Sequence, residues 1–141
     1  MSTKRLSIEI KNDLKELDYL CQKLEDYGKS IGISKKSFYH IILAVDEVCT
    51  NIISYGYKDD VEHIIRLDIS QENGLLIINI EDDGIPFNPT VTKTPDLSCP
   101  IEERDVGGLG CYLMNNLMDD INYERTDNKN ILTFKKKLGE C

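Results

Sequence analysis

Residues 34–57 read SKKSFYHIILAVDEVCTNIISYGY, and this stretch decides the fold because it joins a helical apolar stripe to a row of polar side chains. Ser34 is placed to cap the N-terminus, and Phe38, Ile41, Ile42, Val45, Cys49 and Ile52 recur at steps of three and four, the period of a buried helix face. Glu47 and Asn51 lie beside that stripe. Their spacing of four sets a carboxylate and a carboxamide one turn apart on one face, with Thr50 and Ser54 alongside. A carboxylate accepts a proton and an amide oxygen ligates magnesium, so both can serve one ligand. Taken alone, E-x-x-x-N also describes a helix with a solvated flank, and the choice rests on residues further along.

Composition narrows the classes. The chain of 141 residues is 40% apolar, enough for one domain with a sizeable core. Its net charge of −8 comes from acidic residues spread along the chain, which argues against a nucleic-acid surface. Cys21, Cys49, Cys99, Cys111 and Cys141 are odd in number and scattered, without a C-x-x-C pair, and fit reduced thiols. No signal-like or membrane-spanning apolar run is present, so the expectation is a cytoplasmic protein with no membrane partner.

Upstream of the central helix, RLSIEI (5–10) alternates as a half-buried strand with Leu6, Ile8 and Ile10 on one side. Asn12 or Asp13 is expected to cap a helix with the stripe Leu14, Leu17, Leu20/Cys21, Leu24 and Tyr27, stopped by Gly28 and Gly32. Downstream, Ile65, Leu67 and Ile69 alternate with polar residues in a second strand. A hairpin turn at Gln71–Gly74 leads into LLIINI (75–80).

Period two then places Leu76, Ile78, Ile80 and Asp82 on one strand face, which directs a carboxylate toward the core. That is costly without a partner, and no cation lies near it in sequence; a ligand with a hydrogen-bond donor would satisfy it. Gly84, two residues on, allows a flat ring to approach the backbone. Residues 85–106 hold all four prolines and no periodicity, a long connection of the kind that is usually functional or disordered. It runs into Gly107, Gly108, Leu109 and Gly110 and then a helix marked by Leu113, Met114, Leu117 and Met118. A glycine turn opening a helix presents free N–H groups to phosphate oxygens. INYERT and NILTFKKKL close the chain as an antiparallel pair turned by Asp127, Asn128 and Lys129, and the lysines at 135–137 read as a solvated strand end.

In this order, E-x-x-x-N on a helix, D-x-G after a buried strand, a long loop and G-G-L-G before a helix, the sequence resembles the GHKL ATP-binding superfamily of type II topoisomerases, heat-shock chaperones, mismatch-repair proteins and sensor histidine kinases. It looks most like the branch of anti-sigma-factor serine/threonine kinases, through LAVDEVCTNIISYGY, IEDDGIPFNP, GGLGCYLMNNLMDD and NILTFKKKL. The resemblance implies an α+β two-layer sandwich, with a mixed, mainly antiparallel sheet covered on one face by helices, over residues 1–141 as one ATP-binding kinase domain. By the same resemblance Asn51 holds Mg²⁺ against the triphosphate of ATP, Glu47 is the general base, Asp82 binds the adenine amine and Gly84 admits the ring. Gly107, Gly108, Leu109 and Gly110 cradle phosphates as a lid at about 85–106 closes, Arg104 is that lid's phosphate or partner contact, and Thr133 supports adenine from the last strand.

Departures from the family pattern also inform. Tyr55 stands where this branch often has histidine and sensor kinases have a second asparagine, and His40 and His63 read as structural or surface residues. The implied activity is phosphorylation of an anti-sigma-factor antagonist together with sequestration of a sigma factor, usually as a homodimer and without direct nucleic-acid contact. Two alternatives stand beside it: an ATP-binding partner switch that transfers no phosphate, and an interaction domain without nucleotide.

Overall fold

The computed structural model describes residues 5–86 and 117–138. Strand β1 (Arg5–Lys11) is followed by helices α1 (Glu16–Ile31) and α2 (Lys35–Tyr55), then by strands β2 (Ile64–Glu72), β3 (Leu75–Asp82), β4 (Asp120–Thr126) and β5 (Lys129–Lys137). The strands form one sheet in the order β1-β2-β3-β5-β4. Every described pairing is antiparallel, where a mixed, mainly antiparallel sheet was expected. Ile8, Ile10, Ile65, Leu67, Ile69, Ile78, Ile80, Leu132 and Phe134 bury one sheet face together with Leu20, Leu24, Ile41, Val45 and Cys49 of the helices. Each large apolar side chain so buried stabilises the fold by about 1.5–3 kcal/mol before entropy is counted. Alternation leaves the opposite face polar, with Glu9, Arg66 and Asp68 exposed.

The helix junction follows local chemistry. Ser34 is the N-cap of α2, its hydroxyl accepting the Ser37 N–H at 3.2 Å. Gly32 ends α1 in the left-handed region (φ 70°), and the Ile33 and Gly32 N–H groups reach the Gly28 and Lys29 carbonyls. That is the Schellman arrangement, which only glycine enters at little cost. Gly28 is no stop signal, contrary to expectation. It lies inside α1, where an added Cβ would meet Ile33 and Phe38 at 3.0 Å, so its bareness lets the two helices close together.

The start of α1 also differs. Asn12 does not cap it; Lys15 holds the cap position without a side-chain bond of its own, Asp13 Oδ1 accepts the Lys15 N–H at 3.0 Å just ahead of it, and Leu14 is 52% exposed. Asn12 is occupied elsewhere: it accepts the His63 N–H at 2.9 Å and donates to the Val61 carbonyl at 3.2 Å, pinning the segment before β2. The β2–β3 turn is tighter than expected, with positive φ at Asn73 and Gly74 alone, and Asp127 and Asn128 do the same between β4 and β5. Lys136 is no solvated strand end: it is half-buried and donates to the Leu117 carbonyl at 2.6 Å.

Candidate functional site

The α2 face carrying Glu47 and Asn51 forms as the helical spacing requires. Both side chains are half-buried, and the Asn51 amide donates to Glu47 Oε1 at 3.2 Å. Five residues beyond Asn51, about 7.5 Å along the axis, Gly56 ends the helix. Its carbonyl accepts the Ile85 N–H at 2.8 Å, so the end of α2 is clamped to the turn that follows β3. Gly84 is indispensable to that clamp, since a Cβ there would lie 2.5 Å from the Gly56 oxygen and 3.0 Å from Asp82 Oδ1. Within the protein, the close approach that glycine permits at this position is to the helix end.

Asp82 is 5% exposed, as its place in the strand alternation requires. It does have a protein partner, which sequence proximity concealed. The Asn130 amide donates to Asp82 Oδ1 at 3.0 Å, and the Gly84 N–H reaches the same oxygen at 2.8 Å. Register explains the meeting, because Asp82 pairs with Asn130 across β3–β5 and Asn130 with Arg125 across β4–β5. Arg125 donates to Asn130 Oδ1 and to the Gly84 carbonyl, each at 3.0 Å, and the Tyr123 hydroxyl also donates to Asn130 Oδ1. Burial pushes the Asp82 carboxyl above its ordinary range, while the Asn130 and Gly84 bonds pull it back toward the ionised form. Among the described residues both bonds fall on Oδ1, which leaves Oδ2 as the acceptor that this carboxylate can offer a ligand. Burial likewise raises the Cys49 thiol, and nearby carboxylates, Asp46 first and then Asp82, add to the rise, which places the buried side of α2 within electrostatic reach of this turn.

His63, read from sequence as structural or surface, joins the same region. Its ring stacks on Tyr57 at 4.1 Å between centroids and 13° between planes. Nε2 lies 2.8 Å from Asp59 and Nδ1 3.1 Å from Asp83, so a doubly protonated ring satisfies both carboxylates. The Asp59 hydrogen bond is the main cause of a raised His63 pKa, and the His63 bond in turn holds Asp59 below its ordinary value.

Thr133 is not part of this cluster. Its hydroxyl donates to Asn79 Oδ1 at 2.6 Å on the sheet face opposite Asp82, because it lies a step of three positions from Asn130 and odd steps change faces. Asn130, Arg125 and Tyr123 were missed by sequence reasoning. A signal existed: Asn130 is a polar residue in phase with Leu132 and Phe134, as Asp82 is with Ile78 and Ile80. Arg104, Gly107, Gly108, Leu109, Gly110 and all but the first residues of the expected lid lie outside the described residues.

The family model for the histidine kinase-like ATPase domain, HATPase_c_2, matches residues 10–136. The chain is 36% identical over 109 residues to the serine-protein kinase RsbW of Bacillus mycoides (strain KBAB4), covering 74% of this chain and 68% of that protein. It is 37% identical, with the same coverage, to the serine-protein kinase RsbW of Bacillus thuringiensis (strain Al Hakam). The fold is similar, with a TM-score of 0.72 and 15% identity, to a crystal structure of the RsbU and RsbW domains of a Mycobacterium tuberculosis protein, over 98% of this chain and 33% of that one.

Proposed function

Because this chain belongs to the histidine kinase-like ATPase family, we propose that it is an ATP-dependent serine/threonine protein kinase whose base-reading end is Asp82 and whose transfer end is Glu47. The observation that carries this reading is a buried carboxylate, 5% exposed, held by two N–H donors on one oxygen at the very turn where α2 ends. The helix then leads back from that turn to Asn51 and Glu47. Asp82 would hold the base of a bound nucleotide and Asn51 the metal on its phosphates.

The residues present fit Mg·ATP. Asp82 accepts a hydrogen bond, as an exocyclic amine requires, and the Asn51 carbonyl oxygen is the kind of hard ligand that magnesium takes alongside phosphate oxygens. When bound, Mg·ATP supplies the phosphoryl group, which leaves ADP and joins the acceptor oxygen. Glu47 takes the proton that the serine or threonine hydroxyl gives up as its oxygen bonds phosphorus. Asn51, hydrogen-bonded to Glu47, orients that carboxylate and would hold the metal. The phosphate cradle at Gly107, Gly108, Leu109 and Gly110, with Arg104 beside it, is proposed on the family resemblance.

The protein acts in partner switching, phosphorylating an anti-sigma-factor antagonist and binding a sigma factor. Its likeness to proteins named serine-protein kinase supports the activity, and the family resemblance supports the partners. We further infer one ATP-binding domain over residues 1–141, a cytoplasmic location and a homodimer. No helix among the described residues is long and apolar enough to cross a membrane.

Asp82→Asn tests the base assignment. The amide keeps an oxygen for the Gly84 and Asn130 donors but turns an N–H₂ toward the base, so ATP affinity falls by ~1.5–3 kcal/mol while the melting temperature holds. Calorimetry with ATP and GTP reads the outcome, and equal affinity of the parent for the two nucleotides removes Asp82 from the role. A mass gain of one phosphate on the antagonist, after incubation with Mg·ATP, separates a kinase from a switch that only binds.

A further inference from the structure

We propose that Asn130 is a positioning residue that fixes which oxygen of Asp82 faces the nucleotide base, and that Arg125 and Tyr123 fix Asn130 in turn. This rests on the reading of Asp82 as the adenine contact. Arg125 has only donors, so the atom of Asn130 that it meets at 3.0 Å is the amide oxygen. The amide nitrogen therefore faces Asp82 Oδ1 at 3.0 Å and the Ile85 carbonyl at 2.8 Å, both of which can only accept from it when Asp82 is ionised. All four contacts agree on one orientation of the amide. A buried carboxylate otherwise rotates between equivalent settings of its two oxygens. Here Oδ1 is fully engaged by Asn130 and Gly84, which pins the plane of the group and aims Oδ2.

The arrangement is one row across three strands, Asp82, Asn130 and Arg125. Arg125 also holds the Gly84 carbonyl, so the same side chain braces the turn and the residue that orients the carboxylate. Asn130 is itself 5% exposed and commits both N–H groups and its oxygen within the protein, so it acts on the ligand through Asp82.

The test measures binding of ATP and of purine riboside triphosphate, which lacks the exocyclic amine, to the full chain and to its Asn130→Ala variant. The parent prefers ATP, and in Asn130→Ala that preference shrinks about tenfold, the size of one charge-assisted hydrogen bond lost from correct aim. A purely structural role for Asn130 weakens both nucleotides alike and leaves their ratio unchanged, which overturns the proposal. If Asn130→Ala does not fold, Tyr123→Phe serves in its place. It removes one donor to Asn130 and lowers the ratio about threefold, and an unchanged ratio there is equally fatal. A parent that binds both nucleotides equally overturns the adenine reading itself, an outcome distinct from a parent that discriminates and a variant that discriminates as well.

Discussion

Gly84→Ala is a demanding test of how the candidate site is built. The added Cβ would sit 2.5 Å from the Gly56 carbonyl oxygen, 3.1 Å from its carbon and 3.0 Å from Asp82 Oδ1. Two of these neighbours are backbone at a helix end and the third is a buried, doubly hydrogen-bonded carboxylate, so no flexible side chain can give way. Overpacking of this kind costs about 1–3 kcal/mol. The Ile85 to Gly56 hydrogen bond shares the same space, so the upper half of that range applies. For a chain of 141 residues, ~2 kcal/mol lowers the melting temperature by roughly 6 °C and the urea midpoint by about 1 M. ATP affinity falls further than stability, because the strain is relieved by moving the turn that holds Asp82. Gly74→Ala is the matched control: its φ of +78° strains an alanine, but nothing lies within 4 Å, so it costs about 1 kcal/mol and leaves ATP binding intact. If Gly84→Ala melts and binds ATP like the parent, the clamp between α2 and the turn does not constrain the site and the reasoning fails.

Three further outcomes are expected. Glu47→Gln retains Mg·ATP binding but loses roughly 10²–10⁴-fold in phosphoryl transfer, whereas Asn51→Ala weakens metal-dependent binding as well; single-turnover kinetics and calorimetry separate them, and parental behaviour in both would reduce this face of α2 to a wet edge. Ser34→Ala lowers stability by about 1 kcal/mol in urea unfolding, since it removes the cap of the Ser37 N–H. The His63 pKa is raised above 6.5 in the folded chain, so its contribution is complete below 6.5 and is lost as pH rises through the folded value. The lowered Asp59 pKa acts oppositely, its contribution present above 3.8 and lost as pH falls. Melting temperature should therefore decline on the alkaline side in the parent and change less with pH in His63→Phe, which keeps a ring against Tyr57; identical profiles would dismiss the ion pairs.

Whatever depended on period was determined by the sequence alone. The stripe Ile41, Val45 and Cys49, the alternation Ile65, Leu67 and Ile69, and the inward aim of Asp82 all follow from 3.6- and 2-residue repeats, and the burial of these side chains agrees. The one-turn spacing of Glu47 and Asn51 is equally local, and so is the cap at Ser34. What tertiary structure decided was pairing between distant segments. Asn130 lies 48 residues from Asp82, and its place beside that carboxylate depends on the register of β3 on β5, which a shift of one residue would turn to the opposite face. Thr133 divides between the two: its parity, opposite to Leu132 and Phe134, is legible in the sequence, whereas the partner it meets, Asn79, is set by the register of β3 on β5. Asn12 has the composition of a helix cap, yet a partner 51 residues away, His63, takes its oxygen. Sequence states which groups a residue carries and which way its own element turns them; which distant group arrives to meet them is fixed only when the strands align and the end of α2 closes on Gly84.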